Sequence, residues 1–376
     1  MSLDIRKAFD MVRLESIEAI LQELKVPQHI INRVRQAINC ERTSILWEGI
    51  ETEQIGKGKG IKQGCPMSPY IFTLIMEKVL KETQAKIPNI NLLENNRKGL
   101  PVILAFADDL LIMVRTVKQL EEILKVLKLE LKRVGLELNV DKSKVLIREP
   151  RSDRKIPEKV ILNDEEFEVT NTLKYLGTYF TESLDRPKTT RIRCKQAINS
   201  TKIIIEFMKK FKPGWSLAKL IYKTVIAPAI TYGLKAACLV KRNRKSIARY
   251  ELQILRELLK YSRDRPTGRI RASRLLEGKT AVNKIRVMRI KYWRHIQRRE
   301  KGHPLKIAEK LVFKKRKRGR PAKTWNDSVN EDIGKLGIGI TELKELAKDK
   351  EKLKKTIESK IYNSIGSEEE SETDIE

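Results

Sequence analysis

The sequence predicts a mixed α+β domain followed by a basic all-α region. Three observations carry this. Up to about Thr181 short apolar strands alternate with amphipathic helices, whereas beyond it the apolar spacing is helical almost throughout. Charge divides the chain at the same place: residues 1–185 hold 29 Lys and Arg against 28 Asp and Glu, residues 186–324 hold 42 against 7, and residues 325–376 hold 8 against 14. Finally, 40% of the 376 residues are hydrophobic, which suits a chain with a real core and not a disordered one.

In order along the chain, Ser2–Ile5 is a short strand candidate. Leu14–Leu24 and Ile30–Ile38 have helical apolar spacing, and Pro27 separates them. Strands are expected at Thr43–Trp47 and Glu51–Ile55 around Gly49, and Gly56–Gly64, with four glycines, is a loop. Ser68-Pro69 opens a helix that runs to about Lys86, with Ser68 as N-cap and Pro69 as the first helical residue. Pro101–Val114 reads as strand, polar break, strand. Val117–Val134 sets Leu120, Ile123, Leu124, Leu127, Leu131 and Val134 on one helical face, and Gly135 stops it. Leu136–Val140, Val145–Ile147 and Leu173–Leu176 are further short strands. Beyond Thr181, helices are expected at Arg191–Phe211, Leu217–Ile226, Lys245–Tyr261, Val282–Arg299 and Leu305–Phe313. Pro213-Gly214, Pro266–Gly268 and Gly302–Pro304 cut them apart. Lys314–Lys323 reads as a basic loop, and Glu368–Glu376 as an acidic, disordered tail.

Several classes are excluded at this level. The longest apolar run, Val225–Val240, contains Pro228 and Lys235 and is too interrupted to span a bilayer, so no membrane partner is expected. Cys40, Cys65, Cys194 and Cys238 are far apart, and there are three histidines in all, which argues against a disulfide scaffold and a structural zinc site. Asp4, Arg6 and Lys7 at the start do not form a secretory signal. A reducing intracellular compartment is expected. The near absence of acids from residues 186–324 points to a polyanionic partner, nucleic acid first, over a Lys-rich surface that is merely soluble.

Three segments carry candidate chemistry. Leu3-Asp4-Ile5-Arg6-Lys7-Ala8-Phe9-Asp10 delivers Asp4 at a strand end. Gly60-Ile61-Lys62-Gln63-Gly64-Cys65-Pro66-Met67-Ser68-Pro69 is a glycine-rich loop feeding a helix. Leu104-Ala105-Phe106-Ala107-Asp108-Asp109-Leu110-Leu111 puts two carboxylates between apolar strands. Adjacent carboxylates there are opposed by desolvation and mutual repulsion, and hard divalent cations relieve both. Two such ions roughly 3.5–4 Å apart stabilise the attacking and leaving oxygens of nucleotidyl transfer. Taken singly, the Asp pair reads as a turn, Asp4 as a helix cap and the glycines as an ordinary loop. Their joint occurrence and order make the chemical reading.

These three segments resemble motifs A, B and C of reverse transcriptases, in particular those of non-LTR (LINE-type) retrotransposons. Gly135-Leu136-Glu137-Leu138-Asn139-Val140-Asp141-Lys142-Ser143-Lys144 resembles motif D, and Lys174-Tyr175-Leu176-Gly177 resembles motif E, the primer grip. Tyr222–Pro228 with Thr231-Tyr232-Gly233 is similar to the thumb segment of this class, and Gly319-Arg320-Pro321 with Trp325 and Asp327 to a segment that follows the polymerase. The resemblance covers nearly the whole chain. It implies a palm (an antiparallel sheet packed on helices) over residues 1–180, a basic helical thumb over 181–265, a basic helical post-polymerase region over 266–360 and the acidic tail over 361–376.

It further implies an RNA-directed DNA polymerase with two Mg²⁺ ions, Mn²⁺ being a possible substitute. An RNA template, a DNA primer or target and deoxynucleoside triphosphates are its partners, and the nucleus is its compartment. Asp4, Asp108 and Asp109 match the catalytic metal ligands, Asp109 being the less critical of the motif C pair. Phe9 matches the residue that excludes a ribose 2′-OH, its plain alternative being a core aromatic. Gln63 and Gly64 match residues near the template base and incoming sugar. Lys142 or Lys144 matches a phosphate-neutralising group, with both left open. Tyr175, Leu176 and Gly177 match the primer grip. Phe106 stands where many reverse transcriptases have Tyr. Arg316, Lys317, Arg318 and Arg320 read as a nuclear import signal, an AT-hook core or a solvated linker.

The family's fingers segment, expected ahead of motif A, has no counterpart in this sequence, and Asp4 stands three residues from its start. A terminal strand is expected to fray, so the chain as written is expected to bind nucleic acid but extend primers poorly. The alternative is a catalytically silent remnant that binds nucleic acid through residues 186–324. The oligomeric state is left open by the sequence.

Overall fold

The structure, a computed structural model, describes residues 1–39, 42–56, 58–87, 100–148, 156–182, 186–264, 270–311, 323–346, 348–363 and 374–375. The chain is α+β and divides into two compact units, Met1–Leu176 and Gly177–Glu376. Among the described residues no helix is long and apolar enough to cross a membrane.

The first unit begins with β1 (Ser2–Ile5), the single turn α1 (Ala8–Met11), α2 (Leu14–Glu23) and α3 (Gln28–Asn39). Four two-residue strands follow: β2 (Arg42–Thr43), β3 (Leu46–Trp47), β4 (Ile50–Glu51) and β5 (Ile55–Gly56). Next come α4 (Ser68–Lys86), β6 (Ile103–Phe106), β7 (Asp109–Ile112), α5 (Val117–Arg133), β8 (Leu138–Val145), β9 (Lys159–Leu162), β10 (Glu165–Val169) and β11 (Thr172–Tyr175). Six strands form one sheet in the order β6-β7-β1-β8-β10-β9, antiparallel except between β8 and β10. Leu3, Ile5, Leu110 and Ile112 of the sheet share a core with Phe72, Ile75 and Val79 of α4 and with Ile123, Leu124, Leu127 and Leu131 of α5. The apolar stripe of α5 therefore does what its spacing predicts. Thr116 caps it by accepting from the Gln119 N–H at 3.3 Å, and Gly135, at φ 86°, ends it.

Four expectations change. β1, expected to fray, lies inside the sheet, paired with β7 on one edge and β8 on the other, which ties it down on both sides. Ser68 is not a cap but the first helical residue and is buried, because Met67 is already helical at φ −78° and ψ −32°. The Thr43–Trp47 and Glu51–Ile55 strands resolve into two short ladders, β2 with β5 and β3 with β4. Leu136–Val140 and Val145–Ile147 are not separate strands, since β8 runs through the polar residues between them. The β9–β10 hairpin is an addition, turned by Asn163 and Asp164, both at positive φ.

The second unit holds β12 (Thr178–Thr181), α6 (Arg186–Phe211), α7 (Trp215–Ile221), a π-helical turn at Tyr222–Ile226, α8 (Ala227–Thr231), α9 (Lys241–Tyr261) and α10 (Ala272–Leu275). It continues through α11 (Ala281–Gln297), α12 (Pro304–Glu309), α13 (Trp325–Gly334), α14 (Ile340–Leu346) and α15 (Lys350–Asn363). The expected single helix Leu217–Ile226 is thus interrupted. Pro228 has no N–H to give the carbonyl four residues back, and the turn before it widens so that the Ala227 N–H reaches Tyr222 O. α11 serves two cores. Ala281 and Ile285 pack with α6, α8 and α9, while Val287, Ile290 and Trp293 pack with Val329 and Ile333 of α13 and Ile357 of α15. The expected basic loop Lys314–Lys323, apart from Lys323, and most of the acidic tail lie outside the described residues.

Glu251 of α9 is fully buried, accepting from the Tyr222 O–H and, at 2.7 Å, from the Ala281 N–H at the start of α11. Burial raises its carboxyl to about 7 against the usual 4.5, and the two hydrogen bonds and Lys284 only partly offset this. The folded chain keeps this proton up to about pH 7, whereas the unfolded chain releases it near 4.5. The stabilisation is therefore complete below about pH 4.5 and lost as pH rises to about 7. Urea unfolding followed by tryptophan fluorescence is expected to show a lower midpoint at pH 8 than at pH 5, on the order of 3 kcal/mol. Glu251→Gln is expected to remove most of that slope.

Candidate active site

β1 and β7 are antiparallel with Ser2 opposite Leu111 and Leu3 opposite Leu110. One further step along this ladder sets Asp4 beside Asp109. The β6–β7 ladder ends at Phe106 opposite Asp109, so Ala107 and Asp108 form a two-residue hairpin turn. Ala107, the first of the pair, has φ 51°, the sign that a type II′ turn needs there. A non-glycine residue in this region stores strain, a feature that clusters at functional sites. Three carboxylates thus share one corner of the sheet. Burial first, then the charges of Asp108 and Asp4, raise the Asp109 carboxyl, and Lys174 of β11 works against them. Among the described residues no group of three or more His, Cys, Asp or Glu side chains is gathered closely enough to hold a metal ion. The three aspartates converge without closing into a cage.

The glycine-rich loop is fastened to the segment after Asp4. The Gly60 N–H donates to Val12 O at 2.8 Å and the Ile61 N–H to Phe9 O at 2.7 Å. Gly60 is at φ 89°, and a Cβ there would stand 2.6 Å from Asp10 O. Gly64, at φ 87°, faces open space. Gly60→Ala is therefore expected to destabilise the first unit by clearly more than the roughly 1 kcal/mol of a left-handed alanine alone, which is what Gly64→Ala should cost. Urea midpoints of the two variants check this. Beyond the fastening, Gln63 and Gly64 are exposed. Phe9 is half-buried and stacks on Phe72 of α4, ring centroids 4.9 Å apart and 14° from parallel.

On the other side of β1, the ladder with β8 pairs Ser2 with Lys144 but Asp4 with Asn139, so Val140–Ser143 bulge opposite Leu3 alone. The Ser143 hydroxyl, buried within this bulge, donates to Asn139 O at 2.6 Å and accepts from the Asp4 N–H at 3.2 Å. Lys142 is exposed, its N–H donating to Asn139 Oδ1 at 3.3 Å. Lys144 instead pairs with Glu168 of β10 at 2.9 Å. Tyr175 is buried, its hydroxyl 3.5 Å from Leu104 O and its pKa raised by burial and by Asp109. The chain then turns at Leu176 and Gly177, at φ 46° and 69°. Arg316, Lys317, Arg318 and Arg320 lie outside the described residues.

Two residues near the aspartates escaped the sequence reading. Lys174 stands next to Tyr175 and acts on Asp109, and Ser143 bonds to the Asp4 backbone. Each sits inside a quoted motif, but nothing in the residue type marks its direction.

Residues 1–180 match the family model described as reverse transcriptase (RNA-dependent DNA polymerase). The chain is 29% identical over 267 residues to the Retrovirus-related Pol polyprotein from the type-2 retrotransposable element R2DM of Drosophila melanogaster, covering 66% of this chain and 23% of that protein. It is 38% identical over 113 residues to the corresponding polyprotein from a type-1 retrotransposable element R2 of Popillia japonica, covering 30% and 16%. Against that of Nasonia vitripennis it is 30% identical over 155 residues, covering 41% and 14%. The chain spans less than a quarter of the length of these three relatives. Residues 1–180 thus match a reverse transcriptase domain, and the chain is similar to the Pol polyproteins of R2 retrotransposable elements.

Proposed function

We propose that the chain adds deoxynucleotides to a primer 3′-OH under the direction of an RNA template, with Asp4, Asp108 and Asp109 at the reacting centre. The observation that carries this is the β1–β7 register, which sets Asp4 beside Asp109 with Asp108 in the adjoining turn. Burial and like charge both oppose ionisation of Asp109, and a divalent cation would relieve both. Hard carboxylate oxygens in excess of nearby cations suit Mg²⁺, with Mn²⁺ as substitute. Two such ions, when bound, supply charge stabilisation at the attacking and leaving oxygens.

The chain's own residues supply position. Phe9, held against Phe72, is the sugar gate, and Gln63 and Gly64 approach the template base and sugar from the loop fastened to Phe9. Lys144 is engaged by Glu168, which favours Lys142 for the triphosphate. The Tyr175-Leu176-Gly177 turn grips the primer. Residues 181–265 act as thumb and 266–360 as the post-polymerase region, their excess of basic residues holding the template–primer. Arg316, Lys317, Arg318 and Arg320 extend that contact, in the nucleus.

The test is extension of oligo(dT) on poly(rA) with Mg²⁺ or Mn²⁺, by this chain and by a version extended upstream. Synthesis that depends on Asp108 is expected, and synthesis by neither overturns the reading. In a version that extends primers, Phe9→Val should shift the ratio of incorporation efficiencies towards ribonucleotides, with only a modest fall for deoxynucleotides. An unchanged ratio returns Phe9 to the core.

A further inference from the structure

We propose that Ser143 is a positioning residue for the polymerase reaction: its hydroxyl locks the Asp4 backbone to the base of the β8 bulge, so that Asp4 and the Lys142 segment are held as one piece. This rests on the assignment of Asp4 to the reacting centre.

The bulge creates the need. Four residues, Val140–Ser143, stand opposite Leu3 alone, and the regular ladder resumes at Ser2–Lys144 on one side and Asp4–Asn139 on the other. A bulge leaves its extra backbone groups without ladder partners. The Ser143 hydroxyl bridges the gap, accepting from the Asp4 N–H at 3.2 Å and donating to Asn139 O at 2.6 Å. Its residue is fully buried, so water cannot take over either bond. Asn139 completes the closure, its side-chain oxygen accepting from the Lys142 N–H at 3.3 Å. The candidate metal carboxylate and the candidate phosphate-facing lysine therefore hang from opposite ends of one short hydrogen-bonded chain. Small displacements matter at such a centre, since metal catalysis tolerates about half an ångström of misplacement. An alanine at 143 would fill the same space and hold neither end. A cysteine would keep nearly the same size with a thiol that bonds weakly, and a threonine would keep the hydroxyl.

The experiment uses the full chain with Ser143→Ala, Ser143→Cys and Ser143→Thr. Hydrogen–deuterium exchange followed by mass spectrometry reports the Asp4 amide, and Mn²⁺ alone, titrated by electron paramagnetic resonance, reports the carboxylates. In the Ala and Cys variants the Asp4 amide should exchange several-fold faster, within the roughly two- to twelvefold range of one lost hydrogen bond. Peptides of α9 should be unchanged, and Mn²⁺ affinity should fall several-fold. Ser143→Thr should restore both readings towards the parent chain. A general loosening that also reaches α9 would overturn the proposal in favour of a purely structural role. Unchanged Asp4 exchange in both the Ala and Cys variants would overturn it outright. Mn²⁺ uptake that does not respond to Asp108→Asn would overturn the assignment of the aspartates instead, while the exchange data still decide what Ser143 holds.

Discussion

Asp108→Asn is expected to cut primer extension by at least about a thousandfold in any version of the chain that extends primers. Asparagine keeps the size and one oxygen donor of aspartate but not the charge. The substitution should leave the fold alone, since Asp108 lies in the hairpin turn and is only half-buried. Template–primer affinity should hold or tighten slightly, because an anionic group is removed from a surface that meets phosphates. The neighbouring group responds too. Asp109 is raised by burial first and by Asp108 next, so losing that charge lets its carboxyl fall back towards the usual range. A deficit therefore cannot be ascribed to a protonated Asp109. Initial rates on poly(rA)/oligo(dT), with fluorescence anisotropy for binding, separate the two effects. Full-rate synthesis by the Asn variant would remove Asp108 from the reacting centre.

The second large effect is on stability. Asp332 of α13 is buried between two arginines of α11, with Arg289 Nη1 at 2.5 Å and Arg286 Nε at 3.7 Å. Arg289 is itself 1% exposed and also donates to Ala237 O at 3.4 Å. Asp332→Ala leaves that guanidinium buried without its counter-charge, and the expected cost is about 3–5 kcal/mol. The exposed Glu300→Ala should stay within about 0.5 kcal/mol. Three of the four tryptophans (Trp215, Trp293 and Trp325) lie in the second unit, so intrinsic fluorescence in urea reads this transition directly. Replacing Asp332, Arg286 and Arg289 together with apolar residues of similar size should recover much of the loss, since the pair's desolvation disappears with its attraction.

Where a residue's physics is local, the sequence is legible. Apolar spacing and Gly135 define α5, and two carboxylates between apolar runs define the β6–β7 hairpin. Legibility stops where a partner far along the chain decides. Asp141–Lys144 is a polar run between two expected strands, and it becomes strand because Asp4 and Ser2 of β1 pair with Asn139 and Lys144 at its two ends. Tyr222–Ile226 buries Tyr222 and Ile226 four residues apart, as an ordinary α-helix would, so its spacing does not mark the widened turn, although Pro228 supplies the cause. Asn163-Asp164 is a turn signal, but four of the nine residues in the strands around it are charged, which blurs their apolar alternation. Trp325 and Asp327 read as motif residues, and the structure gives both a structural task. Asp327 completes a capping box with Thr324, and the Trp325 indole N–H donates to Lys235 O at 3.0 Å.

The place of β1 in the sheet also fixes the order in which the first unit can be built. Ser2 pairs with Leu111 on one edge and with Lys144 on the other. These are contacts of long sequence separation, which form late because a large loop must close first. On a ribosome adding about 5–20 residues per second, the strand made first waits roughly 7 to 30 s for its second neighbour to be synthesised. Until then Leu3 and Ile5 can pack only against the part of their core already made, that of α4, β7 and α5. β7 can set Asp4 beside Asp109 once residue 112 is made, and the Ser143 hydrogen bond that secures the Asp4 N–H follows only when β8 arrives.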